Sequence, residues 1–246
     1  MSKGRTTLRV DKILSHLGLA TRSDSKKLVK QGRILVNGLV IKDSGLQVDP
    51  YHDKIELDGE PVLYREFVYI MLHKPAGVVS ATEDNRDRTV IDLLPPQFRA
   101  FSPFPVGRLD KDTEGLLLLT NDGQLAHDLL SPRKHVPKTY YAEVQGAVGD
   151  AEAVRFEQGV DIGEGYVTLP AKLEVLERVG TEEATVSRIL LTISEGKFHQ
   201  VKRMFEAVGS KVLYLKRVSM GALKLDESLP KGAFRELTEE ELASLR

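Results

Sequence analysis

The chain has 246 residues, 41% of them hydrophobic, which allows a sizeable core and fits one large domain or one domain with a small appendage. It contains no cysteine, which excludes a disulfide framework, a thiolate nucleophile and a cysteine-based zinc site, and no window reaches the roughly 18 apolar residues of a membrane span. The expectation is a cytoplasmic protein whose net charge of -1 hides an asymmetry: residues 1–42 hold ten basic side chains against Asp11 and Asp24, a balance of +8 that suits a polyanionic partner.

Residues 8–17 place Val10, Ile13, Leu14 and Leu17 at a helical period, and Gly18 ends the run. A second helix follows, with Ser23 as its expected N-cap, Leu28 and Val29 on the buried face, and Lys26, Lys27 and Lys30 pointing outward. Gly32 stands where a left-handed residue closes that helix. Ile34-Leu35-Val36 and Leu39-Val40-Ile41 then flank Asn37-Gly38, the favoured two-residue hairpin turn. Two small helices and a hairpin make a module too small for chemistry of its own and suited to gripping phosphates, although a basic helix face is as often simply solvated.

Residues 57–66, with Gly59, Pro61 and several charges, read as a hinge, and a larger domain follows. Residues 67–73 read as a strand, Lys74-Pro75-Ala76-Gly77 as a turn and Val78-Val79-Ser80 as a strand resuming. Residues 89–94 read as a short helix stopped by Pro95-Pro96. Within 106–123, Gly107 and Gly115 flank a tight loop carrying Asp110, and 116–119 is a buried strand ended by Asn121-Asp122-Gly123. That is how a chain presents a reactive acid. Further on come a helix over 124–130, strands over 138–144 and 187–193, a helix over 200–208 ended by Gly209, and a strand over 212–215. Residues 150–183 hold nine acids against three bases and read as a solvated outer face. The mixture of strands and helices with hairpin-length connections predicts an α+β domain with a mostly antiparallel sheet. His16, His52, His73, His127 and His135 lack ligand spacing, so no metal is expected.

The run from Leu8 through Gly59 resembles the S4 RNA-binding domain in its Arg22-Ser23 pair, its post-helix glycine and its Val36-Asn37-Gly38 turn. The resemblance implies that Arg9, Arg22, Lys26, Lys27, Lys30 and Arg33 contact RNA phosphates; Lys12 fits either helix face. Three later segments resemble the RsuA-like pseudouridine synthases. Gly107-Arg108-Leu109-Asp110-Lys111-Asp112-Thr113-Glu114-Gly115-Leu116 matches the signature of the family's catalytic aspartate, and Lys138-Thr139-Tyr140 the segment of its active-site tyrosine. Glu195-Gly196-Lys197-Phe198-His199-Gln200-Val201-Lys202-Arg203-Met204-Phe205 matches the segment of its basic partner. Implied boundaries are an S4 domain at 1–60, a linker at 61–66 and a catalytic domain at 67–246.

The chemistry so implied is conversion of a uridine in ribosomal RNA to pseudouridine, without cofactor or metal. Asp110 acts as nucleophile, or as the base that deprotonates the sugar next to C1′, and the sequence leaves that choice open. Lys202, where many relatives have Arg, or Arg203 supplies the cation beside it. Tyr140 stacks on the target base. Lys197 and Arg203 join the RNA-binding set, Arg108 contacts phosphate or braces the loop, and His199 is read as a structural hydrogen-bonder. His73 departs from the asparagine common at that position. By residue type alone, Arg-Leu-Asp is usually a surface ion pair and a strand tyrosine is usually packing, so the flanking matches carry both assignments. The run 192–209 is most like small-subunit members, which makes 16S rRNA or an assembling small subunit the expected partner of a monomeric enzyme, with 23S rRNA the alternative. A non-catalytic S4-type binder leaves Asp110 unexplained. A hydrolase pairing Asp110 with Asp112 or Glu114 needs carboxylates that flank a bond.

Overall fold

The computed structural model describes residues 7–181 and 184–246, so Lys3, Arg5 and the acidic pair at 182–183 lie outside the described residues. The chain divides into two compact units, Met1–Val68 with Leu94–Pro103, and Tyr69–Leu93 with Phe104–Arg246.

In the first unit a short strand β1 (Leu8–Arg9) leads into α1 (Val10–His16), and α2 (Arg22–Lys30) follows. Val10, Ile13 and Leu14 of α1 and Val29 of α2 are buried with Ile34, Val36, Ile41, Val48 and Ile55. The cap of α2 is Thr21, not the expected Ser23. Thr21 Oγ1 accepts from the Asp24 amide at 3.1 Å and donates to Asp24 Oδ2 at 2.6 Å, and this reciprocal pairing starts the helix two residues earlier. The hairpin forms as expected from β2 (Ile34–Val36) and β3 (Leu39–Val40), with φ of +51° at Asn37 and +78° at Gly38, the two positive values of a type I′ turn. Strands β4 (Gln47–Val48), β5 (Ile55–Leu57) and β6 (Glu60–Pro61) complete the set: β4 pairs with β1, and the other sheet runs β3-β2-β5-β6. Pro96 begins the helix α3 (Pro96–Arg99) instead of ending one, because the N–H that proline lacks is unused in a first helical turn. Only a 3-10 turn, Ile91–Leu93, lies where the helix over 89–94 was expected.

The second unit is built on a mixed sheet. Its described strands are β7 (Tyr69–Lys74), β8 (Phe104–Pro105), β9 (Glu114–Thr120), β10 (Lys138–Gln145), β11 (Lys172–Val179), β12 (Val186–Ile193), β13 (Lys211–Met220), β14 (Leu223–Lys224) and β15 (Phe234–Glu236). Their main path is β11-β12-β10-β13-β9-β7-β15, antiparallel throughout except where β13 meets β9 in parallel at Lys216–Glu114 and Arg217–Gly115. Every residue of β9 is buried, and Leu116 and Leu118 pack with Met71, Met220, Leu223 and three residues of α4 (Gly123–Leu130): Leu125, Ala126 and Leu129. Residues 78–80 form no strand; Val79 makes one isolated bridge to Thr89, and Ser80 is held by the 107–113 loop. The acidic stretch does expose most of its carboxylates, yet it also contains α5 (Asp150–Gln158), whose Phe156 is buried edge-on to Phe205 at 5.1 Å, and the outermost strand β11. Helices α6 (Gln200–Ala207) and α7 (Glu239–Ser244) complete the unit. Among the described residues no helix is long and apolar enough to cross a membrane.

Candidate active site

Asp110 sits on the 107–113 loop between β8 and β9, and backbone geometry fixes both ends of that loop. Gly107 has φ +79° and Gly115 φ +106°. At Gly115 a side chain is impossible, since a Cβ would lie 2.2 Å from the Arg217 carbonyl oxygen. Between these points three inward contacts hold the backbone. Ser80 Oγ donates to the Leu109 carbonyl at 2.9 Å and accepts from the Leu109 amide at 3.1 Å, and the Gly77 amide donates to the Lys111 carbonyl at 2.7 Å. The third is Lys74, at the end of β7 and fully buried. Its Nζ lies 2.8 Å from the Thr113 carbonyl, 3.0 Å from that of Asp110, 3.1 Å from that of Pro75 and 3.3 Å from that of Lys111. Burial lowers the Lys74 pKa to about 8, against the pull of Asp112, Asp110 and Glu114. The sequence reading places Lys74 only in a turn; the signal present is a lysine ending a strand whose middle, Ile70-Met71-Leu72, is apolar.

The loop thus turns Leu109 inward and Arg108 out to solvent, and leaves the Asp110 carboxylate a quarter exposed. Lys202, on the first turns of α6, approaches Asp110 Oδ2 at 3.2 Å and Asp112 at 2.7 and 2.9 Å. Burial by itself depresses Lys202, but its hydrogen bonds to Asp112 and Asp110 reverse this and leave its pKa above the ordinary lysine value. The same hydrogen bond holds Asp112 below the usual carboxylate range. His199 Nε2 stands 3.6 Å from Asp110 Oδ1, too long for a good hydrogen bond and close enough for attraction when the ring is protonated. Ala76, Gly77, Asp110, Lys111, Asp112, His199 and Lys202 line an open cavity of about 440 Å³. His199 therefore lies in the cavity wall, a more prominent place than its sequence reading gave it.

Other expected residues stand elsewhere. Tyr140 is buried on β10, opposite Leu191 and Arg217, and is not among the cavity-lining residues. Tyr141 faces the other way, with its hydroxyl on Glu143 at 3.2 Å and its ring edge-on to Tyr214. Arg217, nearly fully buried, donates from Nε to the Leu116 carbonyl at 2.8 Å, which ties the strand opposite Tyr140 to the strand after Asp110. Glu114 points away from the cavity: Tyr214 donates to it at 2.5 Å and Lys231 pairs with it at 2.7 Å, so it does not flank a substrate together with Asp110. Arg203 donates to the Phe198 carbonyl at 3.4 Å, and the Lys197 ammonium lies 4.3 Å from the centre of the Tyr166 ring.

In the first unit, Arg22, Lys26 and Lys30 are exposed and form no ion pair among the described residues. The other three expected phosphate contacts are engaged. Arg9 clasps buried Asp11 at 2.7 and 3.0 Å, Arg33 grips Asp58 through two 2.6 Å hydrogen bonds, and Lys27 pairs with Asp24 at 3.0 Å.

Comparison with known proteins places these features in a family. Residues 68–207 match the RNA pseudouridylate synthase family, and residues 8–55 match the S4 domain. An uncharacterised RNA pseudouridine synthase of Bacillus subtilis, YtzG, is 53% identical over 96% of this chain and 97% of its own length. The ribosomal large subunit pseudouridine synthase B of Bacillus subtilis and the ribosomal small subunit pseudouridine synthase A of Salmonella typhimurium are each 40% identical over 97% of this chain, covering 95% and 100% of their own lengths. A crystal structure of a pseudouridylate synthase, 37% identical, aligns over 97% of this chain and all of its own with a TM-score of 0.66.

Proposed function

The chain belongs to the RNA pseudouridine synthase family and carries an S4 domain, and from that premise we propose that it isomerises a uridine of ribosomal RNA with Asp110 as the reacting carboxylate. The observation that carries this reading is the Asp110–Lys202 pair, 3.2 Å apart in the wall of an open cavity, on a loop clamped from beneath by Lys74.

Pseudouridine formation conserves every atom of the nucleotide. The N1–C1′ bond breaks, the base turns over while held, C5 joins C1′, the proton on C5 leaves and N1 gains one. Asp110 serves either by attacking the nucleotide or by taking the proton next to C1′, and both routes need it anionic. Lys202 supplies the positive charge that a partly desolvated anion requires. The target base must leave the RNA stack to reach the cavity, and Tyr140, on the buried face of β10, is proposed to receive it once bound. The exposed cations Arg22, Lys26 and Lys30 support phosphate binding by the first unit, with Arg9, Lys27 and Arg33 joining when they exchange an acid partner for phosphate. Arg108, Lys197 and Arg203 are proposed to contact RNA around the catalytic cavity. The protein is proposed to work as a cytoplasmic monomer without a cofactor.

The proposed substrate is 16S rRNA, in the free RNA or the assembling small subunit. The likeness of 192–209 to small-subunit members supports it. Because the large-subunit relative is equally identical to this chain, 23S rRNA is the second reading. The deciding experiment gives wild-type and Asp110→Asn protein unmodified 16S and 23S rRNA, and maps pseudouridine by carbodiimide-dependent reverse-transcription stops. One new stop in 16S rRNA that requires Asp110 is expected. A stop in 23S rRNA instead moves the assignment to the large subunit, and Asp110-independent stops overturn the catalytic role.

A further inference from the structure

Phe198 is the most exposed phenylalanine of the described chain, with 75% of its surface in solvent. It lies just before α6 and packs face to face on the His199 ring, with centroids 3.7 Å apart and planes 20° from parallel. His199 is itself held in the left-handed region, φ +49°, at the N-cap of α6, where its side chain makes no capping hydrogen bond. A non-glycine residue in that conformation carries a conformational cost that capping does not offset here. What the conformation achieves is the stack: one face of Phe198 is covered by the imidazole, and the imidazole in turn stands 3.6 Å from Asp110. Arg203 donates to the Phe198 carbonyl at 3.4 Å, Lys197 precedes it in the chain, and Lys202 stands on the same Asp110 carboxylate that the His199 ring approaches, so the segment carrying the ring is cationic.

We propose that the open face of Phe198 stacks on the base of a nucleotide adjacent to the target uridine. The inference rests on the pseudouridine synthase reading and deepens it, by naming the group that sets the register of the RNA at the cavity. A flat exposed ring on a segment that also carries Lys197, Lys202 and Arg203 fits a nucleobase attached to a phosphodiester, because every base offers a π-face and every linkage an anion. When a uridine leaves its stack, the neighbouring base loses a partner, and Phe198 stands one aromatic layer from the carboxylate that receives the uridine. Stacking strength grows with ring area, so a purine at the adjoining position is held more firmly than a pyrimidine.

The chain has no tryptophan, so Phe198→Trp installs a single fluorescent reporter on this ring. Its emission is titrated with the single-stranded pentanucleotide AAUAA and with the same RNA lacking the two bases beside the uridine. Marked quenching by the first and little by the second is expected. Equal quenching by both overturns the proposal, whether or not any rRNA is modified. In a second arm, kcat/KM on unmodified rRNA falls about tenfold in Phe198→Ala and Phe198→Leu, mostly through KM, and Phe198→Tyr restores it to within about twofold. Wild-type kinetics in Phe198→Leu overturn the stacking role, because the apolar surface is kept and the ring is gone. Absence of pseudouridine with the wild-type protein instead strikes the functional reading, and the fluorescence arm still decides what the ring binds.

Discussion

The cations of α2 and the cations around the 107–113 loop are the same residue types in opposite settings. Arg22, Lys26 and Lys30 stand in solvent and form no ion pair among the described residues, whereas Lys74 is fully buried beneath loop carbonyls and Lys202 bridges two carboxylates. A charge left in water is free for a phosphate, and its effect is weak, additive and salt-dependent. A charge taken out of water must be partnered, and it then holds a geometry. The first set is expected to govern affinity and the second catalysis and local stability.

The sharpest break in that division comes from Lys74. Lys74→Met strips the loop carbonyls of their shared donor, and a loss of roughly 2–3 kcal/mol in stability is expected, together with a rate at least about a hundredfold lower. Thermal melting and single-turnover kinetics check the two effects. Lys202→Met should lower the single-turnover rate by about a hundredfold, with Lys202→Arg recovering part of it by restoring the positive charge. Lys74 also sets a pH limit. Its pKa of about 8 means that the buried ammonium loses its proton above that pH, and with it a hydrogen-bond donor to the loop; Lys202, held above the ordinary lysine value, is still charged there. The rate–pH profile is therefore expected to fall from about pH 8 upward.

The exposed cations of the first unit give smaller effects. Lys26→Glu with Lys30→Glu should weaken RNA binding about tenfold and reduce the slope of log affinity against log salt by roughly 2, most of the change appearing in Kd. Filter binding at several salt concentrations measures it. The smallest effect is the most specific: Asp58→Ala releases Arg33 from its exposed ion pair and should tighten RNA binding about twofold.

How legible each part was in the sequence follows from the range of the interactions involved. The S4 helices and hairpin are local, so Gly18, Gly32 and Asn37-Gly38 identified their ends directly. Ser23 misled because Thr21 is an equally good cap type, and only the reach of Asp24 back to Thr21 decides between them. Pro96 was read as a stop although proline also starts helices. Strand β11 was hidden by its acids, since an outermost strand with one partner exposes much of its length. In the site, Asp110 and Lys202 were legible through their flanking segments, 92 residues apart in number and adjacent in space. The pairing of Arg33 with Asp58 and the contact of His199 with Asp110 were not, because each joins residues 25 or more apart through side chains that carry no local pattern, and the strand-end position of Lys74 pointed to burial but not to the distant carbonyls it holds.

In the proposed mechanism a single carboxylate, Asp110, does the chemistry, while its acidic neighbours Asp112 and Glu114 are structural. The most direct test compares single-turnover pseudouridine formation by Asp110→Asn, Asp112→Asn and Glu114→Gln at saturating RNA. A loss of at least about a thousandfold in Asp110→Asn, with both other variants keeping more than about a tenth of the wild-type rate, is the predicted result. If Asp112→Asn or Glu114→Gln is as inactive as Asp110→Asn while still folded, the site works through paired carboxylates and Asp110 does not act alone.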